Sequence, residues 1–144
     1  HAHEAEVATE HRPGTYIYCD RMQVAFGHAT LADCALSVLA TVVSRPTGDR
    51  AVLDAGSKAL AADRSDAPGH GHLREWPQAV VTSLSEEHAV VDLSACEGRP
   101  AIGDRVQIIP NHACVVTNLF DTAHLAVDGE VVEILPITAR GRMG

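Results

Sequence analysis

Aromatic side chains are scarce in this chain, with one Trp, two Tyr and two Phe making up 3% of 144 residues. An interior built on stacked rings is therefore excluded, and Val, Ala, Leu and Ile must fill whatever core forms. Basic residues are in deficit too, 11 Lys and Arg against 19 Asp and Glu, for a formal charge of −8. That balance argues against a nucleic-acid partner, whose phosphates require a basic face. The sequence contains no run of about 18 apolar residues, so no segment reads as a membrane-spanning helix. No charged and then apolar opening marks a secretion signal. The four cysteines, Cys19, Cys34, Cys96 and Cys114, form no Cys-x-x-Cys pair, and a domain of this length folds without disulfide staples. A reducing, cytoplasmic setting is the simplest expectation. An initiator methionine is also missing, since the chain opens His1-Ala2-His3, and it reads as a piece of something longer.

What is present favours strands. Residues 1–11 are polar and irregular, with histidines at 1, 3 and 11, and read as a connector. After the break at Arg12-Pro13-Gly14, the stretch Thr15-Tyr16-Ile17-Tyr18 has strong strand propensity. Arg21 to Ala35 is mixed and suits a loop with a helical turn. Leu36 to Ser44 is rich in β-branched residues and predicts a buried strand, turned at Pro46-Thr47-Gly48-Asp49 into a second over Arg50–Leu53. The chain leaves the strand pattern over Asp54–Leu60. Ser65 to Trp76, carrying Pro68-Gly69-His70-Gly71-His72, predicts an exposed loop. Two further strands are expected over Ala79–Leu84 and His88–Leu93, another over Arg105–Pro110, and a hairpin around Asp128-Gly129 between residues 124–127 and 130–134. Short, regularly spaced strands with little helical periodicity predict an all-β barrel or sandwich.

One turn carries ligand chemistry. Pro110-Asn111-His112-Ala113-Cys114 precedes Val115-Val116-Thr117-Asn118-Leu119, which is rich in strand formers. If His112 and Cys114 open a strand there, its period of 2 sends an imidazole and a thiol to one face, where both can reach a single ion. Two ligands leave positions for substrate or water, because a structural zinc takes four protein ligands and a catalytic one usually three. On spacing alone, a buried His and a buried Cys filling strand positions is the simpler account.

Four islands change that balance. Arg12-Pro13-Gly14-Thr15-Tyr16, Asp54-Ala55-Gly56-Ser57-Lys58-Ala59-Leu60, Ser85-Glu86-Glu87-His88, and Pro110-Asn111-His112-Ala113-Cys114 with the trailing Pro136-Ile137-Thr138-Ala139-Arg140-Gly141 occur in the order found in a known family. Together they resemble the C-terminal β-domain of the D-serine dehydratase and D-threonine aldolase family, alanine racemase-like enzymes of fold-type III pyridoxal phosphate chemistry. The resemblance implies an N-terminal (β/α)8 barrel that carries the Schiff-base lysine outside this chain, so Lys58 is not that lysine. It implies a division into residues 1–14, a connector and remnant of the last barrel strand, and residues 15–144, the β-domain. Gly14, Thr15 and Tyr16 then become candidate contacts to pyridoxal 5'-phosphate, since a glycine turn lets backbone N–H groups approach a phosphate. His112 and Cys114 become the pair that holds Zn2+ or Mn2+.

The chemistry explains why such a pair is needed. A D-β-hydroxy amino acid must either lose its β-hydroxyl or have it deprotonated while the Cα–Cβ bond breaks, and a divalent ion on that oxygen assists both. A thiolate favours zinc, whereas relatives with a carboxylate at this position suit manganese. The expected function is the metal-bearing β-domain of a pyridoxal phosphate-dependent lyase, of D-threonine aldolase or D-serine dehydratase type, dimeric and inactive without its barrel. The alternatives are a non-catalytic binding or dimerisation β-domain and part of an amino acid racemase.

Overall fold

The computed structural model describes residues 9–10 and 12–142. The histidines at 1, 3 and 11 and most of the expected connector lie outside the described residues.

Among the described residues eight strands follow in chain order: β1 (Val38–Thr47), β2 (Arg50–Leu53), β3 (His72–Leu73), β4 (Val80–Leu84), β5 (Ala89–Asp92), β6 (Arg105–Ile109), β7 (Thr122–Val127) and β8 (Glu130–Pro136). Among the described residues there are also three short α-helices, α1 (Arg21–Ala25) ahead of the strands and α2 (Ser57–Leu60) and α3 (Ala113–Leu119) between them. The first six strands form one antiparallel sheet in the order β3-β6-β1-β2-β5-β4. Its two edge strands approach each other, and a hydrogen bond from His70 N–H to the Val81 carbonyl (3.1 Å) crosses the seam. The sheet is therefore a nearly closed barrel. Little helix and a mostly β architecture match the expected fold class.

The interior is aliphatic. Val38, Ala40 and Val42 of β1 alternate inward, and Leu53, Leu73, Val81, Val91, Val106 and Ile108 meet them. Alternation of this kind is what a sheet with one wet face requires. Trp76 packs on this cluster without being fully buried, so no ring sits at its centre.

Three expectations fail, each for a physical reason. Thr15–Ile17 forms a 3-10 turn instead of a strand, with the Cys19 N–H returning to the Thr15 carbonyl (2.8 Å); no neighbouring strand satisfies this backbone, so it satisfies itself locally. Val115–Leu119 lies in α3, where β-branched propensity gives way to tertiary capping. The Gly-rich segment before Trp76 is no exposed loop, since Gly71 is buried and a side chain there would collide with Ile108. His72 and Leu73 pair with Ile109 and Ile108.

The hairpin around Asp128-Gly129 forms as expected, both turn residues taking positive φ (51° and 83°) as a two-residue turn of this kind demands. It stands as a separate two-stranded sheet, with Leu125, Val127, Val131, Val132 and Ile134 exposed. Among the described residues no helix is long and apolar enough to cross a membrane.

Candidate metal and cofactor site

The turn at 110–114 is held by a segment far away in sequence. Backbone N–H groups of Arg21 and Met22 donate to the carbonyls of Pro110 and Asn111, each at 3.2 Å. Asp20, wholly buried, caps α1 by accepting from Gln23 N–H (3.1 Å). Its other oxygen accepts from Ala113 N–H (2.8 Å), so one carboxylate meets orphan donors at the start of two helices. Arg21 is buried as well, donating to Asn111 Oδ1 (2.8 Å) and the Pro68 carbonyl (2.9 Å); burial lowers its pKa. Asn111 in turn donates through Nδ2 to the carbonyls of Asp63 (2.9 Å) and Gly69 (3.1 Å). Removing any one member leaves a desolvated polar group unpaired, which makes such a network rigid.

His112 and Cys114 project from this fixed frame. They do not share a strand face, contrary to expectation: His112 is the N-cap of α3 in extended backbone (φ −134°, ψ 104°), and Cys114 is the second helical residue. Both stay accessible, His112 half-buried and Cys114 exposed. The His112 Nδ1 lies 3.4 Å from Asp63 Oδ1. The Cys114 Sγ lies 3.3 Å from Thr15 Oγ1, and a Cβ built on Gly14 would meet only that sulfur, at 4.0 Å. Gly14 and Thr15 thus stand beside Cys114, while Tyr16 turns outward at 67% exposure.

The residues fit the groups expected of them. An imidazole nitrogen and a thiol are donor types that a divalent transition metal such as zinc accepts. Among the described residues no third His, Cys, Asp or Glu joins them, so the remaining positions on an ion would fall to water or to a substrate oxygen. The bare backbone at Gly14 is a place a phosphate can approach closely. Asp20, Arg21 and Asp63 escaped sequence reasoning. Asp20 before Arg-Met-Gln has the look of a helix cap, but Asp63 in Ala-Asp-Arg-Ser-Asp reads as a solvated loop and carries no signal.

The other two islands meet each other. Ser57 and Lys58 N–H donate to the carbonyls of Ser85 (2.8 Å) and Glu86 (3.1 Å), and Gly56 presses its bare Cα against the Ser85 and Glu86 carbonyls. Lys58 pairs with Glu87 (2.5 Å) and Glu86 (3.1 Å) in solvent, which raises its pKa. It is a surface ion-pair residue, and α2 lies beside α3. Cys19, Cys34 and Cys96 are free, with Cys34 and Cys96 buried and their thiol pKa values raised by that burial. The remaining histidine pair, His70 and His72, is half-buried, and desolvation lowers both pKa values.

Comparison with known proteins gives this geometry a context. A family model described as "Putative serine dehydratase domain" matches residues 35–126, more than half of the chain. An uncharacterized protein of Mycobacterium tuberculosis is 40% identical over 128 residues, covering 85% of this chain and 96% of its own length. The D-threonine aldolase of an Arthrobacter species is 33% identical over 137 residues, 94% of this chain but 35% of the aldolase. Among solved structures, D-threo-3-hydroxyaspartate dehydratase from Delftia sp. HT23 superposes with a TM-score of 0.75 at 29% identity, covering 85% of this chain and 37% of the dehydratase. Two further structures are alanine variants of D-threo-3-hydroxyaspartate dehydratase, one at a cysteine, in a metal-free form, and one at a histidine two positions before it. The chain spans about a third of the length of these named enzymes.

Proposed function

This chain belongs to the serine dehydratase-domain family, and from that membership we propose that it is the metal-bearing β-domain of a pyridoxal phosphate-dependent lyase acting on D-β-hydroxy amino acids. The reaction is of D-threonine aldolase or D-serine dehydratase type, and the domain completes an active site whose other part is an N-terminal barrel in a homodimer. The observation that supports this is the contact between Thr15 Oγ1 and Cys114 Sγ, which brings the two stretches assigned here to phosphate and to metal side by side across 99 positions of sequence. The His-x-Cys spacing is also that of the two residues replaced in the dehydratase variants.

Three groups and one open face make up this scheme. His112 and Cys114 hold the ion and Gly14 and Thr15 bind the cofactor phosphate, while the outward-turned Tyr16 is left to face the barrel. Asp20, Arg21 and Asn111 keep the two ligands from relaxing when substrate enters. When bound, zinc would supply a Lewis acid at the substrate's β-oxygen and pyridoxal phosphate an electron sink. The domain alone is inactive because the lysine that holds the cofactor is outside it.

The test uses the domain joined to its barrel, with D-serine and D-threonine as substrates and zinc or manganese supplied. Pyruvate with ammonia, or glycine with acetaldehyde, is expected. His112→Ala should lower the rate by roughly 100-fold or more while leaving the cofactor absorbance in place. Absence of lyase activity with either substrate sinks the assignment. The exposed apolar hairpin β7–β8 favours a second function, a dimerisation module without catalysis, and a silent protein that still associates through that hairpin would establish it.

A further inference from the structure

Resting on the metal-site assignment, we propose that Asp63 is a positioning residue for His112: its carboxylate accepts the Nδ1 proton and so leaves the Nε2 lone pair for the ion. A neutral imidazole carries one N–H, and which nitrogen bears it is set by the partner of the other. Here Asp63 Oδ1 stands 3.4 Å from Nδ1. That distance lies just beyond the usual N–H···O range of about 2.7–3.2 Å, and an ion held by the other ring nitrogen would withdraw ring electrons, strengthen the Nδ1–H donor and draw the pair closer. Carboxylate partners of ligating histidines fix ring orientation and raise donor strength in this way.

Asp63 is placed deliberately. The Asn111 side chain, one residue before His112, donates to the Asp63 carbonyl at 2.9 Å, so carboxylate and imidazole hang from one hydrogen-bonded frame. The chain reaches Asp63 through Ala61, the C-cap of α2, in a backbone conformation that residues with a Cβ rarely adopt (φ 58°, ψ −178°). Strain of this kind persists where the surroundings impose it, and it gathers at functional sites. The carboxylate faces Nδ1, and no trio of His, Cys, Asp or Glu is assembled among the described residues, so Asp63 acts through His112 and is no third ligand.

Two readouts decide the matter without measuring activity. In 15N spectra recorded where the ring is neutral, His112 of the wild-type chain should be the Nδ1–H tautomer, shifting toward Nε2–H in Asp63→Ala. Zinc affinity, measured by competition with a chromophoric chelator, should fall about 10- to 100-fold in Asp63→Ala. In Asp63→Asn, whose amide oxygen still accepts from Nδ1–H, most of the affinity should be recovered. An Nε2–H tautomer in the wild-type chain overturns the proposal whatever the zinc affinity. Unchanged affinity and tautomer in Asp63→Ala overturn it too, while loss of binding in His112→Ala and Cys114→Ala leaves the metal pair standing. Zinc binding that survives both of those substitutions removes the metal pair itself.

Discussion

Asp20 shows how much a single side chain can decide. It is acidic, buried and far in sequence from the turn it holds, yet it accepts from both Gln23 and Ala113 N–H. Asp20→Ala removes a helix cap, which costs about 0.5–2 kcal/mol, and strands a buried N–H, which costs about 1–3 kcal/mol. A loss of about 1.5–5 kcal/mol in urea unfolding is therefore expected; a loss below about 1 kcal/mol would show that the turn is held elsewhere. His112, Cys114, Gly14 and Thr15 stood out in the sequence because their residue types carry ligand and phosphate-approach chemistry, and the structure sets Gly14 and Thr15 beside Cys114. Asp20, Arg21 and Asp63 did not, because their long-range contacts exist only once residues 20–21, 63–69 and 110–113 are brought together, and local sequence carries no trace of that meeting.

Among the elements, the strands were the legible part. β1, β2, β4, β5 and β6 fall close to where alternation and turn residues put them, since inward Val, Ala and Leu leave one register that buries them all. The misreadings share one cause. Tyr-Ile-Tyr and Val-Val favour strands in isolation, but Thr15–Ile17 has no strand to pair with, and α3 is started by Asp20 and steadied by Thr117 Oγ1 donating to the Ala113 carbonyl (2.8 Å). The joint between α2 and the β4–β5 turn yields a prediction at this scale. Gly56 adopts extended backbone open to other residues (φ −94°, ψ −156°), so Gly56→Ala acts through collision with the Ser85 and Glu86 carbonyls. A loss of about 1–3 kcal/mol is expected from such overpacking, read as a lowered thermal midpoint, and an unshifted midpoint would mean that the joint yields freely.

For the molecule as a whole, the seam of the barrel sets its response to acid. His72 has its pKa lowered by burial, and further by Arg21 and Arg74; His70 is lowered by burial and by Arg64. The unfolded chain takes up these protons near pH 6.5 while the folded one resists them. Stability is thus fully present above about pH 6.5 and declines as pH falls below it toward the lowered native values. Denaturant midpoints at pH 7.5 and 5.5 should show that decline, with a shallower slope in His72→Gln; midpoints that hold or rise on acidification would contradict it. Asp33 and Asp92, whose carboxyl pKa values are lowered chiefly by hydrogen bonds from Thr30 and Ser94, act in a separate window below about pH 4.

The docking of residues 20–22 on the Pro110–Ala113 backbone bears on how this domain could be transplanted. The family match starts at residue 35, which invites a cut just ahead of β1, where the sheet begins. Such a graft would retain His112 and Cys114 and discard the segment that holds their turn. A chimera that keeps this turn intact must carry residues 12–26 along, for the stretch ahead of the sheet is also the clamp on the turn that leaves β6.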